Sequence, residues 1–192
     1  MNLAYECLEK HVLRIPDRTA VIDGMTGEAI TFTVLNEKAN AMAHALESLG
    51  IKKGDRVAVY LPNIPEFIVA FFAICKLGAI TVPFNIMFKK LEIDYILNNS
   101  GAKCLFGAAE QTAENIIPIW EQIPSLEHII SVGTMPADLK SDKVHDFDDL
   151  LTSHDPDFET IDLSRDEPVS LLYTSGTTGR PKGALATHAN WH

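Results

Sequence analysis

The segment Tyr173-Thr174-Ser175-Gly176-Thr177-Thr178-Gly179-Arg180-Pro181-Lys182-Gly183-Ala184 has the residue types and spacing to hold phosphate. Three glycines and four Ser/Thr side chains follow the apolar run Val169 to Tyr173. Glycine lets the backbone approach closely, so that N–H groups can converge on phosphate oxygens, and the hydroxyls add further donors. Arg180 and Lys182 supply positive charge where the thirty residues before Arg180 hold only Arg165. Hydrogen bonds to a charged partner contribute about 1.5–3 kcal/mol each, so three or four outweigh the cost of ordering such a loop. The loop therefore suits the anionic tail of a triphosphate.

It is not a Walker-type phosphate loop. Counted from Gly176, that pattern needs glycine where Pro181 stands and Ser or Thr where Gly183 stands. The missing hydroxyl is the one that holds magnesium in that class, which argues against a P-loop kinase or ATPase. A flexible linker is the other reading of a Gly/Ser/Thr-rich stretch. Pro181 argues against it, because proline fixes the backbone beside Lys182.

The elements that must position this loop follow a regular alternation. Thr33 is expected to cap a helix whose apolar residues Leu35, Ala39, Met42, Leu46 and Leu49 share one face, stopped by Gly50. A strand is expected at Val57–Leu61, a helix at Pro65–Leu77 ending at Gly78, and a strand at Ala79–Val82. Next come a helix near Leu91–Asn98 closed by Gly101, a strand at Lys103–Phe106, a helix near Thr112–Gln122 bent or shortened by Pro118, and a strand at Glu127–Val132. Strands that are apolar on both faces, separated by helices, define an α/β layered fold with a largely parallel sheet flanked by helices. Residues 136–167 hold eleven acidic and three basic side chains and read as a solvated acidic connection with room for short strands, rather than a metal site. Val169–Tyr173 is the last apolar strand. The segment after Thr187 is too short for a stable isolated helix and is expected to fray.

Composition narrows the function classes. The chain has 46% hydrophobic and 22% charged residues, ordinary globular usage, and a net charge of −10, which disfavours nucleic acid as a partner. Cys7, Cys75 and Cys104 form no CxxC pair, so neither a disulfide framework nor a structural zinc site is indicated. Each is read as a small buried hydrophobe, and a reducing cytoplasmic location is expected. Neither a secretory signal nor a transmembrane segment is indicated: the longest apolar run is Phe67–Cys75, far below the roughly 20 residues a spanning helix needs. No metal-ligand set is assigned.

The loop resembles the signature phosphate loop of the adenylate-forming (AMP-binding) superfamily, which includes acyl-CoA synthetases. Pro16–Val21, Gly54-Asp55-Arg56-Val57, Pro65–Ala79, Val82-Pro83-Phe84-Asn85 and Tyr95–Lys103 resemble further landmarks in the family's order, so the resemblance covers nearly the whole chain. Val82–Asn85 and Thr177-Thr178 are more similar to the acyl-CoA synthetase, or fatty-acid–CoA ligase, branch than to peptide-synthetase domains. The resemblance implies that Thr174, Ser175, Gly176, Thr177, Thr178, Gly179 and Lys182 handle the ATP phosphates. It implies ATP, Mg and coenzyme A with a carboxylic acid as co-substrates, and allows a homodimer.

By the same resemblance residues 1–192 are an incomplete N-terminal adenylation domain, the front part of the family's large N-terminal domain, with the phosphate loop at 173–184. The family's catalytic residues lie later, so none is assigned here and the piece alone is expected to be inactive. The competing class is a non-catalytic nucleotide-binding or scaffold protein that retains only the loop. For His188 a packed or capping role at a helix start, with Thr187 as N-cap, outweighs proton transfer.

Overall fold

The computed structural model describes residues 1–174 and 181–191. A π-helical turn, Tyr5–Glu9, runs into α1 (Lys10–Val12), and β1 (Thr19–Ile22) pairs antiparallel with β2 (Ala29–Thr31). Then follow α2 (Phe32–Ser48), β3 (Arg56–Tyr60), α3 (Pro65–Lys76), β4 (Ile80–Pro83), α4 (Lys90–Ser100), β5 (Cys104–Ala108) and α5 (Ala109–Asn115). A 3-10 helix, Ile117–Gln122, leads to β6 (His128–Val132). Beyond it lie β7 (Val144–Asp146), α6 (Phe147–Ser153), β8 (Pro168–Thr174) and β9 (Lys182–Thr187). The main sheet has the order β7-β6-β5-β3-β4-β8-β9; every neighbouring pair is parallel except β8–β9.

Both faces of the sheet are buried, and the twofold alternation of a strand divides the core. Val57, Val59, Cys104, Phe106 and Ile130 pack with α2 and α3 on one side. Ala58, Tyr60, Leu105 and Ile129 pack with α4 on the other. The layered fold, the sheet's largely parallel sense and the strand–helix alternation are as the sequence implies.

Several local features differ. Thr31, not Thr33, caps α2: its Oγ1 accepts from Val34 N–H at 3.3 Å, while Thr33 Oγ1 donates to Pro16 O at 3.1 Å. The β1–β2 hairpin delivers the chain in extended form one residue before the helix, and that pairing has no strong period in the sequence. The expected helix at 112–122 is two pieces, because Pro118 has no N–H to continue an α-helical ladder and stands at the start of the 3-10 turn. The acidic stretch carries β7 and a helix: the Asp146 carboxylate accepts from Asp148 N–H at 2.9 Å and Asp149 N–H at 3.1 Å, capping α6.

Gly101 ends α4 in the left-handed region, φ 63°. A Cβ there would lie 2.9 Å from Arg56 Nη2, whose guanidinium donates to Ser100 O at 2.8 Å and Gly101 O at 2.9 Å. The helix end is thus closed by a cation from the neighbouring strand. At the end of α3, fully buried Lys76 donates to Glu9 and to Thr160 Oγ1, the latter at 3.2 Å. Burial pulls the Lys76 ammonium below its usual range, against the pull of Glu9. These contacts tie the N-terminal turn and the 157–162 segment to the amino-terminal side of the sheet.

Candidate nucleotide-phosphate site

β8 enters the sheet beside β4, with Thr81 opposite Ser170 and Thr81 Oγ1 donating to Val169 O at 3.0 Å. It returns antiparallel as β9, pairing Leu172 with Ala184, Tyr173 with Gly183 and Thr174 with Lys182. The last pair stands at the base of the loop. Thr174 and Lys182, both exposed, are thereby brought opposite each other, with Thr174 Oγ1 3.5 Å from Lys182 O. Ser175, Gly176, Thr177, Thr178 and Gly179 lie outside the described residues, as does Arg180.

The hairpin base is anchored sideways. Tyr173 Oη donates to Asn99 Oδ1 at 2.7 Å, and its ring meets Tyr95 edge-on at 6.4 Å. Burial, and then Tyr95, push the Tyr173 phenol up. Opposite it, a Cβ on Gly183 would come within 2.9 Å of Leu171 Cδ1 and 3.4 Å of Tyr173 Cζ. Glycine at this position therefore lets strand and ring pack, a role separate from phosphate contact. The sequence motifs included Tyr173, Tyr95 and Asn99 but gave none of them this anchoring role, nor Gly183 this packing role. The signal available for β9 was a second strand flanking a Gly/Ser/Thr turn.

Two grooves adjoin the hairpin. One, about 650 Å³, lies along α4 and is lined by Tyr95, Asn98, Asn99 and Pro181 among others. The second, about 740 Å³, lies beyond the carboxyl ends of β3 and β4, with Asn63, Phe67, Phe84, Asn85, Phe88 and Tyr173 in its wall. In open α/β sheets that end of the strands is where ligands bind. Its floor is held by fully buried Tyr60, which stacks on Phe84 at 5.0 Å and donates to Phe88 O at 2.9 Å.

The donor set fits phosphate oxygens and does not by itself fit magnesium. Residues 168–192 contain no Asp or Glu, and among the described residues no group of three or more His, Cys, Asp or Glu could hold a metal ion.

His188 is packed. It is buried, begins a 3-10 turn His188–Trp191, and accepts at Nδ1 from Leu3 N–H at 3.0 Å. Burial and the nearby N-terminal ammonium pull its imidazole below the usual range, partly opposed by Glu167. Thr187 does not cap this turn; its N–H and its hydroxyl both donate to Asn190 Oδ1, at 2.9 and 3.0 Å. His188 N–H donates to Glu167 O at 3.0 Å and Trp191 Nε1 to Ser170 Oγ at 3.1 Å, so tertiary bonds hold a segment the sequence leaves to fray. Cys75 and Cys104 are buried, and burial pushes the Cys104 thiol up to about 12. Cys7 departs from the expectation and is exposed.

β8 and β9 thus flank the Gly/Thr-rich segment at one end of a largely parallel α/β sheet. The chain belongs to the AMP-binding enzyme family, whose pattern matches residues 8–192. It is 38% identical over 185 residues to crotonobetaine/carnitine–CoA ligases of Salmonella arizonae and Salmonella typhimurium, covering 91% of this chain and 34% of theirs. It superposes on the anthranilate CoA ligase AuaEII, solved with anthranoyl-AMP, with a TM-score of 0.90 and 31% identity over 98% of this chain and 35% of that one. The inhibitor-bound N-terminal domain of FACL13 from Mycobacterium tuberculosis gives 0.81 and 30%, over 97% and 44%. The chain thus spans about a third of the length of the curated relatives it matches. Among the described residues no helix is long and apolar enough to cross a membrane.

Proposed function

We propose that this chain supplies the ATP-phosphate-holding part of an ATP-dependent acid–CoA ligase, in which Thr174, Ser175, Gly176, Thr177, Thr178, Gly179 and Lys182 hold the β- and γ-phosphates. The observation that carries the reading is the β8–β9 hairpin, with Thr174 and Lys182 at its base beside a groove at the carboxyl ends of β3 and β4. The family match and the CoA ligases among the relatives support it.

The chemistry follows from the leaving group. A carboxylate resists attack at carbon because oxide would have to leave. In the first step a carboxylate oxygen attacks the α-phosphorus of ATP, taken as its magnesium complex, and pyrophosphate departs. In the second the coenzyme A thiol, losing its proton, attacks the acyl carbon, and AMP leaves with the bonding pair. For the first step the hairpin's task is to orient the phosphates and to place positive charge and N–H donors where charge builds on the departing pyrophosphate.

A fatty acid is the favoured acid, on the Val82–Asn85 and Thr177-Thr178 resemblance, and the cytoplasm the favoured location, on cysteine use. Residues 1–192, as the front part of an adenylation domain, are expected to complete neither step alone, since one loop does not align three substrates.

The test is ATP-dependent thermal stabilisation of the chain together with pyrophosphate release over a panel of acids and coenzyme A. No turnover is expected for the chain alone, and ATP-dependent stabilisation without turnover would favour the non-catalytic nucleotide-binding class over a bare piece of a ligase. Lys182→Ala should weaken ATP binding about 10–100-fold, as expected for a lost charged contact, with an unchanged circular dichroism spectrum. Unaltered ATP binding by that variant would remove the assigned role.

A further inference from the structure

At the opposite edge of the sheet, backbone register brings two histidines together. β6 and β7 pair in parallel with Ile130 opposite His145. His128 lies two residues before Ile130 and therefore projects from the same face of β6. The rings meet on the diagonal between the strands: His128 Nδ1 lies 3.1 Å from His145 Nε2, with ring centroids 5.2 Å apart and planes at 45°. Both residues are half-buried. In the free protein one nitrogen donates its proton to the other.

We propose that His128 Nδ1 and His145 Nε2 form a two-histidine site for a borderline divalent transition metal such as Zn²⁺. Zinc–imidazole bonds of about 2.0–2.1 Å in a tetrahedral arrangement hold two ligand nitrogens about 3.3 Å apart, close to the spacing already present. The ion sits off the line joining the nitrogens, so each ring turns on its own side-chain bonds while the paired strand backbones stay in place. The donating ring passes its proton through solvent to its own second nitrogen, so both imidazoles remain neutral and no net proton is released. Asp142 lies within electrostatic reach of His145 and offsets part of the ion's charge. With no third His, Cys, Asp or Glu converging among the described residues, water fills the remaining positions and the ion is exchangeable. Imidazole ligands select Zn²⁺ or Cu²⁺ over the oxygen-seeking Mg²⁺ and Ca²⁺. The consequence is local: the ion clamps a three-residue edge strand to its neighbour just before the α6 cap at Asp146.

The test is zinc titration of the 192-residue chain at pH 7.5 in competition with a chromophoric chelator, with hydrogen exchange read at Val144–Asp146. One saturable equivalent is expected, lost in H128Q and in H145Q, together with slower exchange of the β7 amides when zinc is bound. An equivalent that persists in H128Q, or zinc binding that leaves β7 exchange unchanged, would overturn the site, as would no saturable binding. Should H145Q fail to fold, imidazole NMR of the unaltered chain decides: the His128 and His145 resonances must shift together on adding zinc, and a shift of His11, His44 or His154 instead counts against it. None of these readouts depends on the ligase reading.

Discussion

At the carboxyl ends of β3, β4 and β8 the chain presents exposed Thr174 and Lys182 at the base of a hairpin, next to an open groove. At the amino-terminal side of the same sheet, Lys76 has no exposed surface and spends its donors on Glu9 and Thr160. The two regions treat polar groups in opposite ways. One satisfies them internally and thereby fastens three distant segments together; the other leaves Thr174 and Lys182 exposed, on a hairpin whose footing is tied by Tyr173 to α4. Fastening and the proposed phosphate binding thus fall at opposite ends of one sheet.

The largest expected effect lies at the fastened end. Glu9→Gln leaves the Lys76 ammonium buried beside a neutral amide and should cost about 3–5 kcal/mol in urea unfolding, since breaking a buried pair strands a charge. A loss below about 1 kcal/mol, typical of a surface pair, would mean that this end is no better fastened than the other.

At the hairpin, Gly183→Val should cost about 1–3 kcal/mol by crowding Leu171 and Tyr173, and should speed hydrogen exchange in β9 more than in β3. Equal acceleration in both strands would show the hairpin and the central sheet to be one cooperative unit. Tyr173→Phe removes one hydroxyl while keeping the ring and should cost about 1 kcal/mol. If exchange at Thr174 and Lys182 is unchanged in that variant, the sideways tie is not what steadies the hairpin base.

The smallest effect is on pH. The folded chain holds His188 below its usual pKa, chiefly by burial, so the unfolded chain binds more protons near the usual histidine range. Stability from this residue is full above about pH 6.5 and falls as the pH drops below it. Urea midpoints between about pH 7.5 and 5 should show this slope, and His188→Gln should flatten it. A slope identical in the variant would remove His188 from the account.

Much of the frame was legible because strong periodicities and explicit stop signals coincide. Val57–Leu61 and Pro65–Leu77 were each placed within a residue of β3 and α3, and Gly101 closes α4 where a left-handed residue is required. The proposed phosphate loop was legible as composition and as a family resemblance. Thr33 was taken for Thr31 because both are capping residue types, and only the β1–β2 pairing decides between them. β9 was missed because its residues 182–185 are exposed and lack an apolar rhythm; it is a strand because β8 offers it an edge.

By itself the amino-acid order determined the alternation of helix and strand, the two-sided burial of the sheet and the Gly/Thr-rich make-up of the segment after β8, since these rest on local propensity and short spacings. Only the tertiary structure decided which distant groups meet: Tyr173 with Asn99, Lys76 with Glu9 and Thr160, Leu3 with His188, and His128 with His145. Such meetings depend on strand order and register, which are set by how whole layers pack and leave no mark in any single stretch of residues.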